Sequence, residues 1–297
     1  VSQKRRSLAV WVRWIGTILS LGLFAWLVTR LDWGLLAAQL AGLNPWVLAL
    51  ALGLYLASQA FNTLRWCALL WAHGVSITFW QAFRIAWSGI FASNFLPSTI
   101  GGDGLRMVAV LPYARSKAVA VGSVALDRLI NMANYACLLP VPVYVFGANL
   151  NALLGLGVAF PFDVRQWAEK YFPKVAAALR EWAARPAAFG WAFLAAWPSN
   201  LTIMLANFLI ARQLGMEVSF TQIIAVQTVA YFVSVLPIAF NGYGVREVTL
   251  TTLFTLLGTT LEQASALAVL TRFLAVLVTI PGGLWFSGVA SDVVKEA

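Results

Sequence analysis

Charge is what this chain has least of. Asp, Glu, Lys and Arg make up 10% of its 297 residues, against about a quarter of a soluble domain, while 61% of the residues are hydrophobic and mean hydropathy is +0.81. A soluble globular domain is excluded. Histidine occurs once, at His73, and cysteine twice, at Cys67 and Cys137. That supply excludes a disulfide framework and a His/Cys metal cluster, and it leaves a histidine-based catalytic triad without context. No GxxxxGK[ST] loop is present, so direct drive by a nucleotide is not expected. The net charge of +9 comes from 20 Lys and Arg scattered between apolar stretches rather than gathered on a water-facing surface, which argues against a nucleic-acid partner. Neither a cofactor nor a metal is expected.

What the chain does have is long apolar runs. A bilayer core requires about 20 apolar residues in a helix, and charge-poor stretches of that order cover Leu8 to Thr29, Pro45 to Leu64, Phe79 to Leu96, Ala118 to Gly147, Ala187 to Ala211, Phe220 to Leu236 and Glu262 to Ser287. Thr249 to Gly258 adds a shorter one. The expectation is an all-α polytopic membrane protein with seven to eight transmembrane helices, forming one membrane domain over 1–297. Lys4, Arg5 and Arg6 precede the first run, which reads as an uncleaved span with a cytoplasmic N-terminus. Between Pro161 and Pro186, five basic residues alternate with Trp167, Tyr171, Ala178 and Trp182 at helical spacing. This segment is expected to lie in the cytoplasmic interface as an amphipathic linker, with Asp32 to Leu40 as a smaller counterpart on the other leaflet.

An internal repeat organises the rest. Leu96-Pro97-Ser98-Thr99-Ile100-Gly101-Gly102-Asp103-Gly104-Leu105-Arg106 aligns with Leu236-Pro237-Ile238-Ala239-Phe240-Asn241-Gly242-Tyr243-Gly244-Val245-Arg246 at a shift of 140. Gly74 with Gly215, Phe79 with Phe220, Gln81 with Gln222 and Arg128 with Arg272 extend the match. The halves are expected at about 45–147 and 187–287. Proline and clustered glycine predict two broken, re-entrant hairpins, because such backbone is tolerated at membrane depth only where it is buried or lines a cavity. If the hairpins dip and return, an odd number of spans separates equivalent points and the second half is inverted. If the segment after each motif spans instead, the halves are parallel; the parity count favours inversion.

Freed amides, a following helix N-terminus and an arginine together suit a phosphate. The candidate substrate ligands are therefore Arg106 with the amides of Gly101, Gly102 and Gly104, and Arg246 with those of Gly242 and Gly244. Arg128 and Arg272 would line the route between the two sites. Asp103, Asp127 and Glu247 would balance charge or carry a proton. Competing readings stand beside these: glycines that only let helices pack closely, and ion pairs of Arg106 with Asp103 and of Arg246 with Glu247. Arg272 has Thr271 where Arg128 has Asp127, an asymmetry that favours a role beyond a local ion pair. Arg65, Arg84, Arg115, Lys117 and Arg212 read as span-end residues snorkelling to headgroups. The 14 tryptophans read mostly as interfacial anchors.

The pattern Arg65-Trp66, the run from Ser93 to Arg106, the pair Asp127-Arg128, and Leu236-Pro237 with Asn241 to Glu247 resemble the lysylphosphatidylglycerol synthase transmembrane family, also described as flippase-like. The resemblance covers nearly the whole chain. It implies a multi-pass protein of a bacterial or archaeal cytoplasmic membrane that moves or modifies a lipid, and long members carry a soluble aminoacyl-transferase domain that is not expected here. The function expected is a non-enzymatic flippase-like transporter of an anionic, phosphate-bearing lipid such as a phospholipid or a polyprenyl-phosphate-linked lipid. The alternative is an intramembrane enzyme or subunit working with a lipid-modifying aminoacyl or glycosyl transferase. A separate transferase and a second copy of the chain are the protein partners this reading allows.

Overall fold

The computed structural model describes residues 42–95, 99–114, 116–147, 186–235 and 244–296. Among them run nine helices and no strand: α1 Pro45–Ala72, α2 Phe79–Phe95, α3 Thr99–Ala109, α4 Lys117–Cys137, α5 Pro140–Phe146, α6 Pro186–Gln213, α7 Phe220–Val235, α8 Val245–Leu256 and α9 Leu261–Glu296. The all-α expectation holds. The expected first span, the interfacial segments at Asp32 and Pro161, and the residues Leu96, Pro97, Ser98 and Leu236 to Tyr243 lie outside the described residues.

Local chemistry sets the helix ends, and does so twice. α1 begins at Pro45, where a missing N–H costs nothing, behind Asn44, whose side chain accepts from the Trp46 N–H at 2.9 Å. It ends with Gly74 in left-handed backbone (φ 67°) and the Val75 N–H donating to the Leu70 carbonyl at 3.2 Å, a Schellman closure. α6 ends the same way, with Gly215 at φ 72° and Met216 donating to Ala211 at 3.0 Å. Thr78 and Gln81 then form a reciprocal capping box for α2, and Ser219 and Gln222 form its counterpart for α7. The helix lengths repeat too: 28, 17 and 11 residues before α4, against 28, 16 and 12 before α9.

Among the described residues, four helical stretches are long and apolar enough to cross a membrane: Pro45–Ala72, Lys117–Phe146, Ala187–Gln213 and Leu261–Phe286. At 1.5 Å per residue, α2 and α7 reach only about 25 Å, short of a ~30 Å hydrocarbon core. Two expected boundaries shift. α1 continues eight residues past Leu64, because Arg65 is neutralised inside the bundle and does not end the apolar run. The span expected from Ala118 to Gly147 is interrupted at Leu138–Leu139, ahead of Pro140, which has no N–H to continue the ladder.

The most extensive packing joins α1 to α6. They run antiparallel, since Asn44 meets Gln213, Tyr55 meets Asn207 and Ser58 meets Ser199, while Trp71 and Trp191 line one groove at the other end. α2 packs on α9, where Gly282 and Gly283 admit it: a Cβ on Gly282 would lie 2.5 Å from the Trp87 carbonyl oxygen. α7 in turn packs on α5, at the end of the other long span.

Candidate functional site

Arg65 leaves the buried face of α1 seven residues before its end and meets Asp127 on α4, with Nε 2.7 Å from Oδ1. The second oxygen of Asp127 takes Arg106 of α3 at 3.0 Å. One carboxylate thereby joins three helices. Arg106 also stands 3.5 Å from Asp103 and lies over the Trp66 ring at 4.4 Å, a geometry that adds cation–π attraction in a desolvated place. Asp103 gives its other oxygen to Arg128 at 2.9 Å. The adjacent residues Asp127 and Arg128 thus pair across helices, each with a different neighbour, because successive side chains on a helix point about 100° apart.

These groups enclose a cavity of about 160 Å3 whose wall includes Arg65, Arg106, Asp127, Arg128, Asn131, Gln59 and Asn62. Arg65, Arg106 and Asp127 are buried, whereas the Arg128 side chain is 62% exposed and marks the open side. Amides fix the floor. Asn131 accepts from Arg65 Nη1 at 2.9 Å and donates to the Tyr231 hydroxyl at 3.3 Å, and Asn200 of α6 donates to both Asn131 and Asn134. Tyr231 stacks on Tyr135 with centroids 3.8 Å apart. Two buried polar atoms of the cavity wall, Arg106 Nε and Gln59 Oε1, have no hydrogen-bond partner among the described residues.

The second motif is built differently. Glu247, in the first turn of α8, accepts the Gly244 N–H at 2.7 Å and the Arg272 Nε at 2.6 Å. Arg246 comes no closer to it than 3.9 Å. Gly244 has φ 80°, a left-handed value that favours glycine.

Several sequence expectations change here. Arg65 is no snorkelling residue; it is buried at the centre of the cluster, and only its position opposite Asp127 in the folded bundle reveals this. Trp66 is buried beneath Arg106 and is no interfacial anchor. Arg272 does have an acid, Glu247, supplied by the neighbouring helix instead of by its own. Gly101, Gly102 and Gly104 lie inside α3 and take helical backbone. The reason at Gly102 is steric, since an added Cβ would collide with Ser93 Oγ and the Gly89 carbonyl. The Gly244 amide is committed to Glu247, and Gly242 lies outside the described residues. Arg106, Asp103, Asp127 and Arg128 are brought together; Arg246, Glu247 and Arg272 form a separate group.

Apolar helices long enough to span, packed around a cavity lined by guanidinium, carboxylate and amide groups, define a multi-pass membrane protein. The chain belongs to the family described as the lysylphosphatidylglycerol synthase TM region, whose model matches residues 13–282. The match is to a membrane region, and among the described residues no group of three His, Cys, Asp or Glu could hold a metal ion. No curated protein matches the chain.

Proposed function

We propose that the protein moves an anionic, phosphate-bearing lipid between the leaflets of a bacterial or archaeal cytoplasmic membrane. The observation that carries this reading is the charge balance of the first cluster. Three guanidiniums, Arg65, Arg106 and Arg128, face two carboxylates, Asp103 and Asp127, leaving one positive charge beside a cavity. Charge buried among membrane-spanning helices is costly and marks a pathway by default, and an incoming phosphate would neutralise the surplus and occupy Arg106 Nε, which has no hydrogen-bond partner among the described residues.

The antiparallel course of α1 and α6 supports an inverted repeat. Ser58 and Ser199, related by the same shift of 141 as Gly74 and Gly215, touch at 3.3 Å, as residues beside a pseudo-two-fold axis do. Halves at about 45–147 and 187–287 would then present Arg106 and Arg246 to opposite leaflets, joined by the basic segment at 161–186 on the cytoplasmic side with the N-terminus. A separate lipid-modifying transferase is the partner that would load or use such a lipid. Reconstituted vesicles test the reading. Arg106→Ala and Arg246→Ala should each slow leaflet exchange of a fluorescent phosphatidylglycerol while the protein stays folded, and normal exchange in both variants defeats it.

A further inference from the structure

The repeat register holds along whole helices, so the two halves can be compared residue by residue. α1 and α6 both start at a proline, Pro45 and Pro186, and both are 28 residues long. α4 and α9 start at Lys117 and Leu261, with the same shift of 144 that relates Arg128 to Arg272. In this register Arg65 corresponds to Ala206 and Asp127 to Thr271, all four buried. The two members of the buried ion pair are replaced together, and the second half packs without them.

A buried ion pair costs desolvation and is often no more stable than well-packed neutral residues. The second half provides that neutral version within the same molecule, so packing alone does not require Arg65 and Asp127. What the pair changes is the arginine of the motif. Arg106 is held by Asp127 at 3.0 Å, by Asp103 at 3.5 Å and by the Trp66 face. Among the described residues, Arg246 approaches one acid, Glu247, at 3.9 Å, and the oxygens of Glu247 already serve Arg272 and the Gly244 amide.

We propose that Arg65 and Asp127 are positioning residues that clamp Arg106 in a preorganised site, a restraint that their counterparts Ala206 and Thr271 do not give Arg246. The two halves are then unequal: one clamped arginine and one without that clamp. Preorganisation lowers the entropy lost on binding, so the first half is the tighter of the two. Only the transport consequence of this inference rests on the proposed function; the difference in restraint does not.

Modification by phenylglyoxal, an arginine-selective dicarbonyl, reads the restraint directly in the full chain in nanodiscs, with peptide mapping by mass spectrometry. Arg106 should react about tenfold or more slowly than Arg246, a ratio that hydrogen bonding to a charged partner supplies. In the charge-neutral variant Arg65→Ala/Asp127→Thr, which copies the second half, Arg106 should accelerate to the rate of Arg246. Equal rates in the unaltered protein, or no acceleration in the double variant, overturn the inference. In exchange assays the double variant should raise the half-saturating fraction of phosphatidylglycerol more than it lowers the limiting rate. If no lipid tested is exchanged by the unaltered protein but the modification contrast is seen, the transport reading fails and the clamp stands.

Discussion

Arg272 donates to Glu247 at 2.6 Å across the same sequence separation, 25 residues, that divides Arg128 from Asp103 at 2.9 Å. In each half the arginine of the long span finds its acid on the short helix. The acids, however, occupy different motif positions: Asp103 three residues before Arg106, Glu247 one residue after Arg246. The pairing is shared and the residue that provides it is not. An uncompensated buried charge is expensive wherever the acid is placed on the facing helix.

The Glu247–Arg272 pair should therefore behave as a unit. Arg272→Ala removes the 2.6 Å partner of a carboxylate only 2% exposed on its side chain, leaving it the Gly244 amide and the 3.9 Å approach of Arg246, and is expected to cost about 3 kcal/mol. Glu247→Gln/Arg272→Met should recover more than half of it. Thermal unfolding in detergent, arranged as a double-mutant cycle, measures the coupling; additive losses would show that the pair is not coupled.

Glycine substitutions separate packing from conformation. Gly102→Ala should destabilise by about 1–3 kcal/mol through overpacking against α2, because Ser93 and the Gly89 carbonyl occupy the space. Gly53→Ala and Gly190→Ala, in helices with nothing near the added methyl, should gain up to about 1 kcal/mol from helix propensity. Gly244→Ala at φ 80° should cost about 1–2 kcal/mol. Unfolding midpoints of the four variants check the order.

The proposed inversion of the halves makes a topological prediction. Ser76 and Glu217 are equivalent under the shift of 141, and both are exposed in the turns that follow α1 and α6. Single cysteines at the two positions, in a background lacking Cys67 and Cys137, should be labelled by an impermeant maleimide from opposite sides of the membrane. Labelling from one side only would make the repeat parallel.

The contact between Ser58 and Ser199 supplies a mechanical test. If the halves exchange conformations about an axis through this contact, the two residues move least relative to each other. Ser58→Cys/Ser199→Cys, whose Oγ atoms now stand 3.3 Å apart, should cross-link under mild oxidation and retain lipid exchange. Loss of exchange on cross-linking, restored by reductant, would place the motion across this contact instead.

Much was legible in one dimension. The scarcity of charge placed the chain in a bilayer, since no soluble domain could remain so poorly charged. Pro, Gly, Ser, Thr and Gln at fixed offsets marked helix ends, because caps and Schellman closures are made by residues within six positions of one another. The repeat was visible because its two copies keep the same residues at the same spacing, and it singled out Arg106, Arg128, Arg246 and Arg272.

Partnership between helices was not legible. Arg65 and Asp127 are 62 residues apart, and nothing in the periodicity of α1 tells a guanidinium that reaches into the bundle from one that reaches out to headgroups. The rotation of each helix about its axis decides that, and packing sets the rotation. The glycines of α3 were ambiguous for a related reason: Gly102 is required by a neighbouring helix rather than by its own backbone. Sequence determined the solvent, the helix ends and the duplicated arginines; tertiary structure alone decided which carboxylate each arginine meets, because that choice depends on the distance between chains brought together only when the helices close.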